Sequence, residues 1–222
     1  MTQMGTKYIF ALLLAQVLSI VWCVEFINTD PCGDSVACWS FPPKCEPREC
    51  EGIIRWRLIG EKLSLEMQAT DFSTSTDAGR YLALGFSSDT AMGNDSVVEC
   101  VFDVGGKSGE AYISYNENTN NYQLLDASQK MLSNKTFLQK DGKMICSVDI
   151  DYHPLNSVDS TEQQTIHKVP NESWNLLFAQ GLTNPETGEK YIHAVYPWKT
   201  EELVEICEEC PHKFIVVEHM RQ

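Results

Sequence analysis

Apolar and polar residues alternate along much of the chain from Ile53 onward. Leu63, Leu65 and Met67 alternate with polar neighbours. Three further runs have the same pattern, with apolar positions at Val98, Cys100 and Phe102, at Ala111, Ile113 and Tyr115, and at Met144, Cys146, Val148 and Ile150. Alternation with period two predicts strands with one face in a core and one in water. Turn-forming residues such as Gly105-Gly106 and Asp141-Gly142 separate the runs. The pattern predicts an all-β fold, an antiparallel immunoglobulin-like β-sandwich.

Two segments depart from the strand pattern. Residues 199–206 favour a short helix, with Thr200 as the cap ahead of Glu201 and Glu202. Residues 24–50 hold four cysteines and four prolines. We expect this disulfide-rich N-terminal segment to pack through crosslinks rather than through regular structure.

The N-terminus has the pattern of a secretory signal peptide. Lys7 precedes an apolar run from Tyr8 to Val24, and Val21 and Cys23 are small enough for cleavage after Cys23. The alternative is an uncleaved anchor helix, although the run is short for a membrane span. Since no second apolar run of this length follows, we expect a secreted protein with no membrane span after cleavage of residues 1–23.

The net charge excludes one class of partner. The chain has 222 residues, of which 43% are hydrophobic, and a formal net charge of -14. Such a chain can build a core, and it lacks the clustered cations that nucleic-acid binding needs. An acidic surface favours cationic partners and is repelled by anionic lipids.

Eight cysteines remain once Cys23 is removed, and on the export pathway they predict disulfides. They are Cys32, Cys38, Cys45, Cys50, Cys100, Cys146, Cys207 and Cys210. Cys100 and Cys146 both lie on apolar strand faces, so we expect them to pair in the core; two buried thiols are the alternative. For the Cys207-Glu-Glu-Cys210 pair we expect a link to the N-terminal cysteines, with a zinc site as the alternative on spacing alone.

Three sequons agree with export. They begin at Asn94, Asn134 and Asn171, and each is a predicted glycosylation site. We expect Asn134 and Asn171 to be occupied more fully than Asn94.

No common catalytic motif is present in the sequence. His193 lies in a strand-like run, Tyr191-Ile-His-Ala-Val-Tyr196, where a structural role is the ordinary interpretation. Met92 lies in a polar, glycine-containing loop, where a thioether has no obvious core to fill. A thioether and an imidazole are also an axial ligand pair for haem iron.

The stretch from Tyr81 to Cys100, YLALGFSSDTAMGNDSVVEC, resembles the signature of DOMON domains, and Trp174 to Gly181 and Tyr191 to His193 resemble the last strands of that family. The resemblance covers residues 51–198. DOMON domains are extracellular β-sandwiches found in dopamine β-monooxygenase, in ferric-chelate reductase-like proteins and in the cytochrome domain of cellobiose dehydrogenase.

In the haem-binding members of this family, a methionine after the Gly-Phe strand and a late histidine hold a b-type haem. The resemblance therefore implies haem b as cofactor, with Met92 and His193 as the axial iron ligands. It also implies apolar haem neighbours, for which the candidates are Tyr81, Leu84, Phe86, Tyr191 and Val195. Six-coordinate iron favours one-electron transfer, with an unknown redox partner because the chain has no cytochrome b561, copper or flavin domain.

The expected organisation is a signal peptide (1–23), a Cys/Pro-rich segment (24–50), a DOMON domain (51–198) and a C-terminal tail with a cysteine pair (199–222). The leading hypothesis is a secreted haem-binding domain that transfers electrons and is not an enzyme by itself. The alternative is a haem-free extracellular module that binds a ligand or a protein.

Overall fold

The alternating runs form strands in the computed structural model, which describes residues 26–193, 195–208, 210 and 214–216. The predicted signal peptide and most of residues 211–222 lie outside the described residues. The strands are β1 (Ala37–Phe41), β2 (Gly52–Ile59), β3 (Lys62–Thr70), β4 (Gly79–Ser87), β5 (Asp95–Phe102), β6 (Gly109–Glu117), β7 (Asn120–Leu124), β8 (Leu132–Lys140), β9 (Lys143–Asp151), β10 (Glu172–Thr183), β11 (Trp198–Lys199), β12 (Val204–Ile206) and β13 (Phe214–Val216).

The strands form two sheets, as the alternation predicts. The order in the first sheet is β13-β1-β2-β3-β9-β8, and in the second it is β11-β10-β4-β5-β6-β7, with β12 also paired to β10. Neighbouring strands are antiparallel except for β1 and β13, which run parallel. The prediction of an all-β sandwich is confirmed.

The core lies between the two sheets. Leu63, Leu65 and Met67 of β3 are buried in one cluster with Leu82 and Leu84 of β4. Full burial of a side chain of this kind contributes about 1.5–3 kcal/mol. The inward faces of the two sheets are therefore the main source of stability.

A disulfide between β5 and β9 joins the sheets across this core. Cys100 and Cys146 are fully buried and bonded to each other, with Cα atoms 6.4 Å apart. The predicted pairing of these two cysteines is confirmed.

The other disulfides of the described residues are local, so the predicted link between the N-terminal cysteines and the Cys207/Cys210 pair is wrong. The bonds are Cys32–Cys38, Cys45–Cys50 and Cys207–Cys210. In each, a tight turn brings the Cα atoms within 5.1–5.5 Å, which is disulfide distance. The tail still reaches the N-terminal segment, through backbone pairing of β13 with β1.

The N-terminal segment also contributes regular structure, contrary to expectation. All five residues of β1 are buried, and Trp39 and Phe41 belong to the main core. A strand buried on both faces has no exposed positions that alternate with buried ones, so alternation does not reveal it.

The helices are short, and none lies where the sequence predicted one. They are α1 (Leu125–Met131), α2 (Ser160–Gln163) and a 3-10 helix (His153–Ser157). Residues 199–206 instead contain the end of β11 and all of β12. The Thr200 hydroxyl accepts a hydrogen bond from the Leu176 amide at 2.9 Å, so this side chain serves a neighbouring strand rather than a helix start. No helix of the described ranges is long and apolar enough to cross a membrane.

Candidate functional site

Met92 lies in the loop that joins β4 to β5, close to the end of β4. The Gly93 amide donates to Asp95 Oδ2 at 2.8 Å, and the Asn94 amide donates to the Asn116 carbonyl at 2.7 Å. These bonds hold the loop against the start of β5. The Met92 side chain is 46% exposed, so it fills no core, as the sequence indicated.

His193 lies in the long connection between β10 and β11, and the strand predicted for Tyr191–Tyr196 is wrong. The Tyr191 amide donates to the Leu182 carbonyl at 2.9 Å, but the described residues from 191 to 197 form no strand. Pro197 has no N–H for a ladder bond, and regular pairing resumes only at Trp198.

One interaction fixes the orientation of the His193 ring. Its Nδ1 lies 3.1 Å from the Val195 carbonyl oxygen. A carbonyl only accepts, so Nδ1 carries the proton in this bond. The Nε2 lone pair is then free, as in metal-ligating histidines that donate their other ring N–H to a backbone carbonyl.

Strand register places the two predicted ligands near opposite ends of β4. The His193 connection meets Tyr81, whose hydroxyl donates to the Tyr191 carbonyl at 3.2 Å. The Met92 loop follows Ser87 at the other end. Along β4, Tyr81 and Phe86 are five residues apart, which at a rise of ~3.3 Å per residue corresponds to roughly 17 Å.

Both loops contact the same surface of the second sheet, which we call the outer face. It is the side away from the core. The Met92 loop donates to Asp95, and Lys190 of the His193 connection pairs with Glu99. Both acids alternate with the inward-facing Ser96, Val98 and Cys100 of β5, so both lie on the outer face.

Between the two loops, the outer face has small residues. Ala83 and Gly85 of β4 pair with Ala179 and Leu177 of β10, and Gly181 pairs with Tyr81. Ala83, Leu177 and Ala179 are partly exposed, so this strip is accessible. A Cβ at Gly181 would lie 2.6 Å from the Tyr81 ring. The strip therefore carries mostly small side chains. Tyr81 faces it, but Leu84 and Phe86 point into the core.

A buried charge pair, which the sequence analysis did not identify, attaches the His193 connection to the outer face. Glu99 is fully buried, and its carboxylate pairs with the Lys190 ammonium at 2.7 Å. Gln123 Nε2 also donates to this carboxylate at 2.7 Å. Burial, and secondarily the charge of Glu99, raise the pKa of the nearby Tyr81 phenol. The only signal in the sequence is an acid between Val97 and Val101 in an apolar strand.

Two further features are the zinc site that spacing alone allowed at Cys207 and Cys210, and the three sequons. Glu205, Cys207 and Cys210 place ligand atoms within 4.8 Å of one another, but the two sulfurs are bonded together. Asn94, Asn134 and Asn171 are all exposed. The Asn134 Nδ2 atom donates to Asp149 at 2.6 Å, and the Asn94 Oδ1 atom accepts from the Tyr115 hydroxyl. Glycosylation of the three asparagines stays a prediction.

Comparison with known proteins finds one domain family and several relatives. Residues 48–181 match the DOMON domain. The chain is 34% identical over 82 residues to the human DOMON domain-containing protein FRRS1L, covering 36% of this chain and 26% of that protein. It is 29% identical over 182 residues to a Drosophila melanogaster ferric-chelate reductase 1 homolog, covering 76% of this chain and 25% of that one. The chain thus spans about a quarter of the length of these relatives.

Proposed function

This chain belongs to the DOMON family, and we propose that its sandwich is a secreted b-type haem-binding module that passes single electrons between other molecules. The observation that carries the proposal is the pair of loops with Met92 and His193. Both loops contact the outer face of the second sheet, on either side of a strip of small residues.

His193 and Met92 are the residues that would hold the group. The Val195 carbonyl accepts the Nδ1 proton of His193 and so leaves Nε2 free as a ligand. The Met92 thioether is a weak acceptor on a side chain that is nearly half exposed. When bound between a histidine and a methionine, a b-type haem supplies an iron that changes by one electron.

Neighbouring residues position the His193 connection. The Glu99–Lys190 pair and the Tyr81 hydroxyl attach it to the outer face at Lys190 and Tyr191. Neither bond involves His193, whose ring is held separately by the Val195 carbonyl. Ala83, Gly85 and Ala179 add no bulky side chain to the outer face.

Several observations support secretion, a cationic partner and redox chemistry. The four disulfides are typical of an oxidising compartment, and the sequons and the apolar N-terminus agree with export. The net charge of -14 favours a cationic redox partner. The name of the Drosophila relative supports redox chemistry, although its reductase activity belongs to a longer protein.

An absorption spectrum of the full chain titrated with haem tests the proposal. We expect a low-spin spectrum with a sharp Soret band and split visible bands on reduction. Met92→Ala should take up haem but lose the low-spin form and lower the reduction potential, because methionine ligation raises it. His193→Ala should retain little haem.

His153→Ala is the matched control, because His153 is an exposed histidine in the 3-10 helix. It should leave the haem spectrum unchanged. Unaltered low-spin spectra in both Met92→Ala and His193→Ala would show that other residues hold the iron.

A haem-free binding module is the second candidate, and the surface beside His193 favours it. Ile192 and Tyr196 are each 83% exposed, and Tyr191 is half exposed. Exposed aromatic residues are common at protein contacts. If the wild-type chain takes up no haem, this surface becomes the candidate protein-binding site, and His193 is a structural residue of its connection.

A further inference from the structure

The Cys207–Cys210 disulfide differs from the other described disulfides in its access to solvent. Cys38, Cys50, Cys100 and Cys146 are fully buried, so each of the other three bonds has at least one buried sulfur. Cys207 and Cys210 are both partly exposed. Exposed disulfides are the ones that exchange most readily with thiols.

This bond also contributes least to the constraint on the unfolded chain. It joins residues only three apart, whereas Cys100 and Cys146 are 46 apart. The stabilisation from a disulfide grows with the length of the loop that it closes. Breaking the Cys207–Cys210 bond therefore costs the fold less than breaking any of the others.

The pair lies where the chain passes from one sheet to the other. β12 before it pairs with β10 of the second sheet, and β13 after it pairs with β1 of the first. Glu208, between the two cysteines, accepts a hydrogen bond from the Gly60 amide at 2.9 Å. These contacts hold β12, Glu208 and β13 in place independently of the S–S bond.

From this geometry we propose that Cys207–Cys210 is a reversible thiol–disulfide exchange site, reduced by a small-molecule or protein thiol. One thiolate of the reductant attacks a cysteine sulfur, the S–S bond breaks, and the leaving cysteine takes up a proton. A second reductant thiolate, from the same dithiol or from another monothiol molecule, then attacks the reductant's sulfur in the mixed disulfide. The bond to the protein sulfur breaks, and this second cysteine also takes up a proton. The products are two protein thiols and an oxidised reductant, with two electrons transferred to the protein.

Charge around the pair selects among reductants. Glu205 and Glu208 are exposed, and Glu209 follows in the sequence. This acidic segment repels an anionic thiol such as glutathione more than a neutral one such as dithiothreitol. Salt screens that repulsion, so added salt should accelerate reduction by glutathione more than reduction by dithiothreitol, whose thiolate carries fewer negative charges.

Graded reduction of the folded chain tests the proposal. The oxidised full chain is treated with increasing dithiothreitol and a chelator, blocked with N-ethylmaleimide and analysed by peptide mass spectrometry. We expect Cys207 and Cys210 to be labelled together at a concentration roughly tenfold lower than any other cysteine. The near-UV circular dichroism should not change at that concentration, and replacing the reductant with a neutral disulfide oxidant such as hydroxyethyl disulfide should restore the bond.

A double variant, Cys207→Ala with Cys210→Ala, is the control. It should fold with an unchanged near-UV signal and lose the early-labelled pair. The proposal is overturned if this variant fails to fold, since the bond would then be required for the structure. It is also overturned if another disulfide opens at the same reductant concentration, or if Cys207 and Cys210 react only as the near-UV signal is lost.

Discussion

Gly181 and Gly85 both lie on the outer face of the second sheet, but only Gly181 has a ring packed over it. A Cβ at Gly181 would lie 2.6 Å from the Tyr81 ring, whereas one at Gly85 would lie 3.4 Å from the Leu177 Cβ atom. Tyr81 is buried and cannot move away at low cost. The two glycines therefore form a matched pair for testing how tightly the outer face is packed.

Gly181→Ala should lower the free energy of unfolding by about 1–3 kcal/mol, because the added methyl group overpacks the site. Gly85→Ala should change it by no more than about 0.5 kcal/mol. Urea denaturation of both variants measures the difference. Equal losses would mean that Tyr81 does not limit the space at Gly181.

At the scale of single residues, the buried Glu99–Lys190 pair is a second feature that can be tested. Glu99→Gln leaves the Lys190 ammonium without its partner in a site where that side chain is only 16% exposed. We expect a loss of roughly 3 kcal/mol and faster amide exchange in residues 184–193.

The control for this change is Glu61→Gln, which removes the same charge from an exposed pair with Lys168. It should leave the melting temperature and the exchange of residues 184–193 nearly unchanged. Equal exchange rates in the two variants would mean that other contacts hold the connection.

At the scale of elements, the sequence predicts strands well where one face of the strand is exposed to solvent. β3, β5, β6 and β9 follow from alternation. β1 does not, because all its residues are buried, and α1 is too short for an amphipathic repeat. For the candidate site, residues alone identify Met92 as an apolar side chain without a core. The expectation that Met92 and His193 act together as ligands comes only from the resemblance. No local pattern in the sequence predicts which two loops contact the same face of a sheet.

Asp149 of β9 connects three strands of the first sheet. Its carboxylate pairs with Lys62 at 2.8 Å and accepts hydrogen bonds from Ser64 and Asn134, each at 2.6 Å. Burial alone would raise its pKa, but the bonds from Lys62, Ser64 and Asn134 outweigh burial and lower the pKa below 3.8.

Because the pKa is lower in the folded state, this carboxylate stabilises the fold above pH 3.8 and loses its effect as the pH falls through the folded value. Asp149→Asn should therefore flatten the dependence of melting temperature on pH below 3.8. Lys62→Met, which removes one partner, should flatten it in part. An acid dependence equal to that of the wild type in both variants would contradict this role.

At the scale of the whole molecule, the Cys100–Cys146 bond is the covalent connection between the sheets. Replacing both cysteines with alanine should lower the free energy of unfolding by about 4 kcal/mol, from loop entropy in the unfolded chain. Replacing Cys32 and Cys38, which are six residues apart, should cost about half as much. Chemical denaturation gives both values, and equal losses would show that loop length does not set the contribution.

The strand order also sets when this protein can fold during synthesis. β4 pairs early with β5, but its other neighbour, β10, is made only after β9, and β3 likewise waits for β9. Until the ribosome has added β9 and β10, β3 and β4 each lack one neighbouring strand, so both sheets are incomplete. Non-local pairing of this kind folds slowly and exposes surfaces that aggregate. The nascent chain should therefore depend on chaperones until β10 emerges, with Cys32–Cys38 and Cys45–Cys50 able to oxidise well before Cys100 meets Cys146.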